Sequence, residues 1–196
     1  MRKTAMLVAG IVLVAGCNSE PTGTTTAPEI RTLTGTAVRE LSEHDESGGS
    51  VERDLATLRR ATSSFHQFET AKAAGWSVKI TGCMSSAEGG MGFHYGNVGL
   101  IDGAVRVDEP ELLLYEPEKN GKLRLVAVEY IIPYTAHSRD AAAPVLFGQA
   151  FKQNDTFQLW GLHAWVWKEN PSGVFASWNP KVGCEHTTDA MTMSHH

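Results

Sequence analysis

The segment Leu123-Arg124-Leu125-Val126-Ala127-Val128-Glu129-Tyr130-Ile131-Ile132, closed by Pro133, decides the fold. Branched and aromatic side chains suit a pleated, half-buried surface, and proline cannot donate to a ladder, so this reads as a long strand. Alternation along it puts Leu123, Leu125, Ala127, Glu129 and Ile131 on one face. A carboxylate among such neighbours must be paired, protonated or bound to a cation, because burying it bare costs several kcal/mol.

Working outward, Asn120-Gly121 marks a hairpin turn, and Glu111 to Tyr115 reads as the partner strand before it. Leu159 to Trp167 reads as a later strand, with His163 on the face of Leu159, Gly161, Trp165 and Trp167 and room beside the glycine. Trp76, Val78 and Ile80 alternate with Ser77, Lys79 and Thr81 as a half-buried strand. From Gly82 to Gly103 the chain is glycine-rich, and Gly89, Gly90, Gly92 and Gly96 surround His94. Glycines there would let backbone approach a ligand closely. Arg139 to Gln153 reads as a short helix or loop opening around Pro144, and Asn170-Pro171-Ser172-Gly173 and Asn179-Pro180 set turns. Leu55, Leu58, Thr62, Phe65, Phe68 and Lys72 keep helical spacing, with Ser50 as N-cap and Gly75 as stop; His66 borders the stripe as a half-buried surface residue. The predicted architecture is a single α+β domain over 51–186, an antiparallel sheet with one long N-terminal helix.

Residues 18–50 are rich in Thr, Ser, Gly, Glu and Pro, a composition that cannot offset ordering entropy. They are expected to form a flexible tether reaching ~30 Å, with a short element conceivable only at Ile30 to Leu41. Residues 187–196 are expected to be a flexible tail. Before the tether, Arg2-Lys3 precedes an apolar run from Ala5 to Val14, short of the roughly 20 residues a spanning helix needs. A basic start, a short apolar core and small residues describe an export signal. Val14-Ala15-Gly16-Cys17 resembles the lipobox of bacterial lipoproteins.

That resemblance implies a signal peptide over 1–16 and a Cys17 that becomes the first residue and carries lipid, palmitate among the chains. The protein would then be anchored in the cell envelope, and two or more acyl chains hold stably where one is marginal. Asn18, where an aspartate would favour inner-membrane retention, points to the outer membrane and the periplasm in a two-membrane cell. Cleavage takes Arg2 and Lys3 from 17 basic residues facing 22 acidic ones, and the formal charge moves from −5 to −7. An acidic chain with no basic run excludes nucleic acid as a partner and leaves membrane contact to the lipid. In an exported domain Cys83 and Cys184 read as a disulfide. Two thiolates on a metal would instead need reduced thiols in an oxidising compartment.

His94, Glu129 and His163 are polar against apolar or glycine-rich surroundings. Converging, they would form a small-ligand or metal pocket whose donors suit Zn²⁺, or Fe²⁺ with open positions. They lie on separate elements, so no local spacing carries the idea. Met91, Tyr95 and Trp165 are the positions expected to contact a ligand, with Tyr95 and Trp165 at the entrance. Two metal-free arrangements compete. Glu129 could bond Tyr95, Tyr130 or backbone while each histidine is satisfied in the core, or Glu129 could raise the basicity of His94 or His163. Copper, through Met84, Met91, Met191, Met193, His195 and His196, is the lesser metal option. The chain lacks a Gly-x-Ser-x-Gly elbow, a His-Glu-x-x-His helix and a Cys-x-x-Cys pair, and Gly90-Met91-Gly92 with Gly96 misses the dinucleotide spacing. Trp160, Trp165, Trp167 and Trp178 crowd the C-terminal third as core or as a platform for a flat ligand. The alternative reading is therefore a non-catalytic binding or interaction lipoprotein that uses a Trp-rich surface.

Overall fold

The computed structural model describes residues 35–192, with side chains from residue 48 onward. Cys17 with its lipobox, the signal segment 1–16, and Met193, His195 and His196 lie outside the described residues. The first helix, α1, spans Gly35–Thr62 and passes through Gly48 and Gly49. It therefore begins ahead of the expected Ser50 cap, within the stretch read as a tether. Two glycines cost a helix about 1 kcal/mol each, a local penalty that does not by itself end it. Leu55 and Leu58 on its last turns are buried in the core.

The predicted single helix to Gly75 is broken instead. Thr62 donates its hydroxyl to the Leu58 carbonyl at 2.8 Å, a back-bond that bends helices. Ser63–His66 then forms a 3₁₀ turn and Gln67 is extended. The Tyr115 hydroxyl donates to the Phe65 carbonyl at 2.7 Å, which engages that acceptor from the sheet. A short helix, α2, follows at Phe68–Ala73. Gly75, at φ +113°, ends it as expected: Trp76 N–H reaches Ala71 O at 3.0 Å and Gly75 N–H reaches Lys72 O at 3.1 Å.

The strands are β1 (Val78–Lys79), β2 (Cys83–Ser86), β3 (Gly89–Gly96), β4 (Leu112–Pro117) and β5 (Leu123–Pro133). After them come β6 (Val145–Leu146), β7 (Gln149–Ala150), β8 (Lys152–Asn154), β9 (Leu159–Ala164) and β10 (Ala190–Thr192). The main sheet runs β10-β2-β3-β4-β5-β9-β8, with β1 also pairing β3, and curls into a half-barrel. The α+β class is as expected. The purely antiparallel sheet is not, because β10 pairs β2 in parallel. The bridge Cys83–Cys184 ties the chain to β2 just before β10. That disulfide closes a separation of 101 residues and stabilises by ~4–5 kcal/mol in the chain-entropy view.

Alternation along β5 holds except at one bulge. The register passes from Leu114↔Ala127 to Tyr115↔Leu125, which leaves Val126 as the extra residue. Leu125, Val128, Tyr130 and Ile132 therefore share the core beneath α1, while Val126, Ala127 and Ile131 belong to the opposite face. Glu129 keeps Ala127 and Ile131 as face-mates but loses Leu123 and Leu125, which lie across the bulge on the α1 side. Three other expectations shift. Val78 and Ile80 are exposed rather than half-buried, since β1 is a two-residue edge piece; only Trp76 is buried, its indole N–H on Pro110 O. The stretch 139–153 carries the β6–β7 hairpin and the start of β8, with no helix. Strand β9 stops at Ala164, short of the expected Trp167, because Trp165 N–H turns to Val174 O at 2.9 Å.

The glycine-rich segment is strand β3, and its glycines admit protein backbone rather than a ligand. A Cβ at Gly89 would overlap the Asn179 carbonyl, one at Gly92 the Tyr115 carbonyl, and one at Gly90 would lie 2.6 Å from Val182 O. Gly92→Ala combines this overlap with φ +84° and should destabilise by at least ~3 kcal/mol. Gly121→Ala, at φ +76° in open space, should cost only about 1–2 kcal/mol. Denaturant melts of the two variants check this; equal losses would refute the packing account.

Candidate functional site

Glu129 and His163 are direct cross-strand partners on β5 and β9, so their side chains rise side by side. His94 comes from β3, two strands from β5, with β4 between. Two strand spacings, roughly 9.6 Å, would separate these residues on a flat sheet. The His94 and Glu129 side chains reach toward each other across β4. His94 Nε2 lies 3.5 Å from Glu129 Oε2, and His163 Nε2 lies 3.8 Å from the same oxygen. Neither approach has hydrogen-bond length. One donor atom from each residue lies within 4.8 Å of the others, and all three residues are buried.

Supporting contacts fix each member. Thr81 Oγ1 stands 2.8 Å from His94 Nδ1. When that nitrogen carries the proton it donates to the hydroxyl, and Nε2 presents a lone pair toward Glu129. Gly161 leaves the space Glu129 occupies: a Cβ there would sit 2.8 Å from Glu129 Oε1. This is the room beside the glycine expected from sequence. His163 stacks on Trp165, ring centres 6.2 Å apart and planes 11° apart, and stands edge-on to His94 at 6.2 Å. His163 Nε2 is fully enclosed and has no hydrogen-bond partner among the described residues. Leaving such an atom unsatisfied costs on the order of 1–3 kcal/mol.

Burial governs the charges. Desolvation pushes the Glu129 carboxyl up to about 8, with the charge of Glu111 adding to it. Desolvation pulls His94 down to about 4, against a hydrogen bond to the Gly92 backbone that opposes the shift. His163 falls to about 3 through desolvation, then through the neighbouring His94. At neutral pH the protein groups alone thus form a neutral acid and two neutral imidazoles, not ion pairs.

A cavity of about 360 Å³ opens over the cluster, lined in part by Met84, Met91, Leu112, Ile131 and Trp178. Met91, where a ligand contact was expected, lines this cavity. Tyr95 is not: next to His94 on β3 it faces the other way, packing edge-on against Phe68 and Tyr115. Trp165 is buried behind His163 with its indole N–H on Ala176 O, so it backs the site instead of lining an entrance. Trp160 is buried in the α1 core with its N–H on His137 O, and Trp167 bonds Thr62 Oγ1. Met84 joins Met91 in the cavity, whereas Met191 accepts the Gly82 N–H through sulfur. Sequence reasoning missed Thr81, Gln153 and Asn154; the two amides come from β8, whose pairing beside β9 has no local signal. Comparison with protein families, curated proteins and solved structures returns no match.

Glu111 is a second buried carboxyl, whose Oε2 accepts the Ile131 N–H at 3.1 Å. Desolvation raises it to about 7. Between the usual carboxylate range and pH 7 the folded chain keeps this proton and the unfolded chain loses it, so stability falls as pH rises. In chelator, Glu111→Gln should flatten the stability–pH slope over that window and gain on the order of 3 kcal/mol relative to the parent above pH 7. Urea melts at pH 5, 6, 7 and 8 measure it; parallel curves for parent and variant would contradict the assignment.

Proposed function

We propose that this chain is a lipid-anchored, exported protein of the cell envelope that binds one divalent transition metal through His94, Glu129 and His163. The observation that carries the metal reading is the enclosed, unpartnered Nε2 of His163, aimed with His94 Nε2 at one carboxylate oxygen. Two imidazoles and a carboxylate are a donor set for Zn²⁺, or for Fe²⁺ with open positions. Bonds of 2.1 Å at tetrahedral angles set donor atoms ~3.4 Å apart. The two histidine–glutamate separations are already near that value, and all three donor atoms lie within 4.8 Å of one another. A dication also reverses the burial shift on Glu129, because its charge offsets the desolvation of the carboxylate. Met84 and Met91 in the same cavity keep copper as the lesser option.

The anchor rests on Val14-Ala15-Gly16-Cys17 and the export signal before it, and Asn18 favours the outer membrane where there are two. The acidic charge fits attachment through lipid rather than through electrostatic adsorption.

Full-length protein exported into an oxidising compartment and analysed by metal mass spectrometry should carry close to one metal per chain. His94→Ala and His163→Ala, each folded by circular dichroism, should lose it. A parent that stays metal-free after incubation with Zn²⁺, Fe²⁺ and copper would sink the metal reading. Independently, the parent should partition into Triton X-114 and Cys17→Ser into the aqueous phase; aqueous partition of both would remove the anchor.

A further inference from the structure

The walls over the three side chains say what kind of molecule fits there. We infer that the cavity takes a small, uncharged, largely apolar ligand that reaches the metal through a single donor atom; this rests on the metal reading above. About 360 Å³ lies in the range of small-molecule sites and holds roughly 10–15 non-hydrogen atoms. Met84, Met91, Leu112, Ile131, Phe157 and Leu159 give it apolar walls.

Several polar atoms at its edge are already engaged. Gln153 Nε2 donates to Arg139 O at 2.7 Å, and Asn154 Oδ1 accepts the Phe157 N–H at 3.2 Å. Ser177 Oγ accepts from Lys152 Nζ at 3.1 Å, and Thr81 is held by His94. Among the described residues, neither lysine nor arginine lines this cavity. Lys152 borders only the smaller adjoining space of about 130 Å³. A phosphate or a dicarboxylate would thus bring more negative charge than the site offsets, while an apolar body would shed water against six apolar side chains. Only His94, Glu129 and His163 are ionisable among the cavity's lining residues, so a ligand meets no charged partner there apart from the metal and the side chains that hold it. Phe157 and Ile80 are partly exposed at the lining and form the side open to solvent.

The test uses Co²⁺, whose visible spectrum reports both occupancy and ligand exchange. Co²⁺-loaded protein is titrated with imidazole, 4-phenylimidazole and inorganic phosphate. The expected result is a spectral change with 4-phenylimidazole at an affinity at least about tenfold above imidazole, and none with phosphate at matched concentration. Phe157→Ser should cut the phenyl preference to about threefold or less while Co²⁺ uptake persists, the retained spectrum showing that the fold and metal site survive. Equal affinity for the two imidazoles, or tighter binding of phosphate, would overturn the ligand class and leave the metal site standing. Equal binding of 4-phenylimidazole to metal-free protein would overturn coordination. Failure to take up Co²⁺ would overturn the metal reading itself, and this inference with it.

Discussion

Removing the Glu129 carboxyl from water on a closed face of the sheet is the constraint around which the rest is arranged. A bare carboxylate there costs several kcal/mol, and the groups around it do not neutralise it by themselves. Both histidines approach it without hydrogen-bond contact, and both are held neutral by the same burial that raises Glu129. The fold nevertheless spends much to keep it there. Gly161 forgoes a side chain to admit it, Thr81 orients His94, and Trp165 backs His163. That support gathers one donor atom from each of three buried residues within 4.8 Å of the others.

The bulge in β5 explains how one sheet serves two purposes. Without Val126 as an extra residue, Leu123 and Leu125 would share a face with Glu129, and the α1 core would lose them. With it, one face packs helix and aromatic rings while the other keeps the cavity. The disulfide and the β10–β2 pairing secure the far edge, so β3, which carries His94, lies between β2 and β4. Backbone carbonyls of Tyr115 and Asn179 crowd β3 so closely that only glycine fits at Gly92 and Gly89.

What the sequence made legible follows from local periodicity. Glu129 and His163 could be placed because alternation puts each among apolar neighbours, and both strands obey it near those residues. Gly75 and Asn120-Gly121 were legible because φ above zero selects glycine: both glycines adopt it. The cysteine pair followed from compartment chemistry. The failures are equally physical. No local pattern announces a bulge, so Leu123 and Leu125 were put on the wrong face. Tyr95 was placed beside His94 from proximity in sequence, although neighbours on a strand point apart. The glycines of β3 obscured it as a strand because their reason lies in residues 115 and 179–182, far along the chain. Of the four tryptophans read as core or platform, Trp160, Trp165 and Trp167 each donate to a protein acceptor, and Trp178 lines the cavity.

The protonation pattern also weighs between the metal and metal-free forms of the site. A general base for neutral pH needs a pKa near 7, close enough to exchange its proton readily. Here burial drives the two partners apart, the carboxyl to about 8 and the imidazoles to about 4 and 3, so the proton stays on Glu129 and the histidines are poor bases. The low imidazole values that weaken acid–base work suit coordination, which requires neutral histidine with a free lone pair. A dication supplies what the carboxylate lacks, a compensating charge at the point where three donors already converge. Burial therefore keeps both imidazoles in the neutral form that coordination needs.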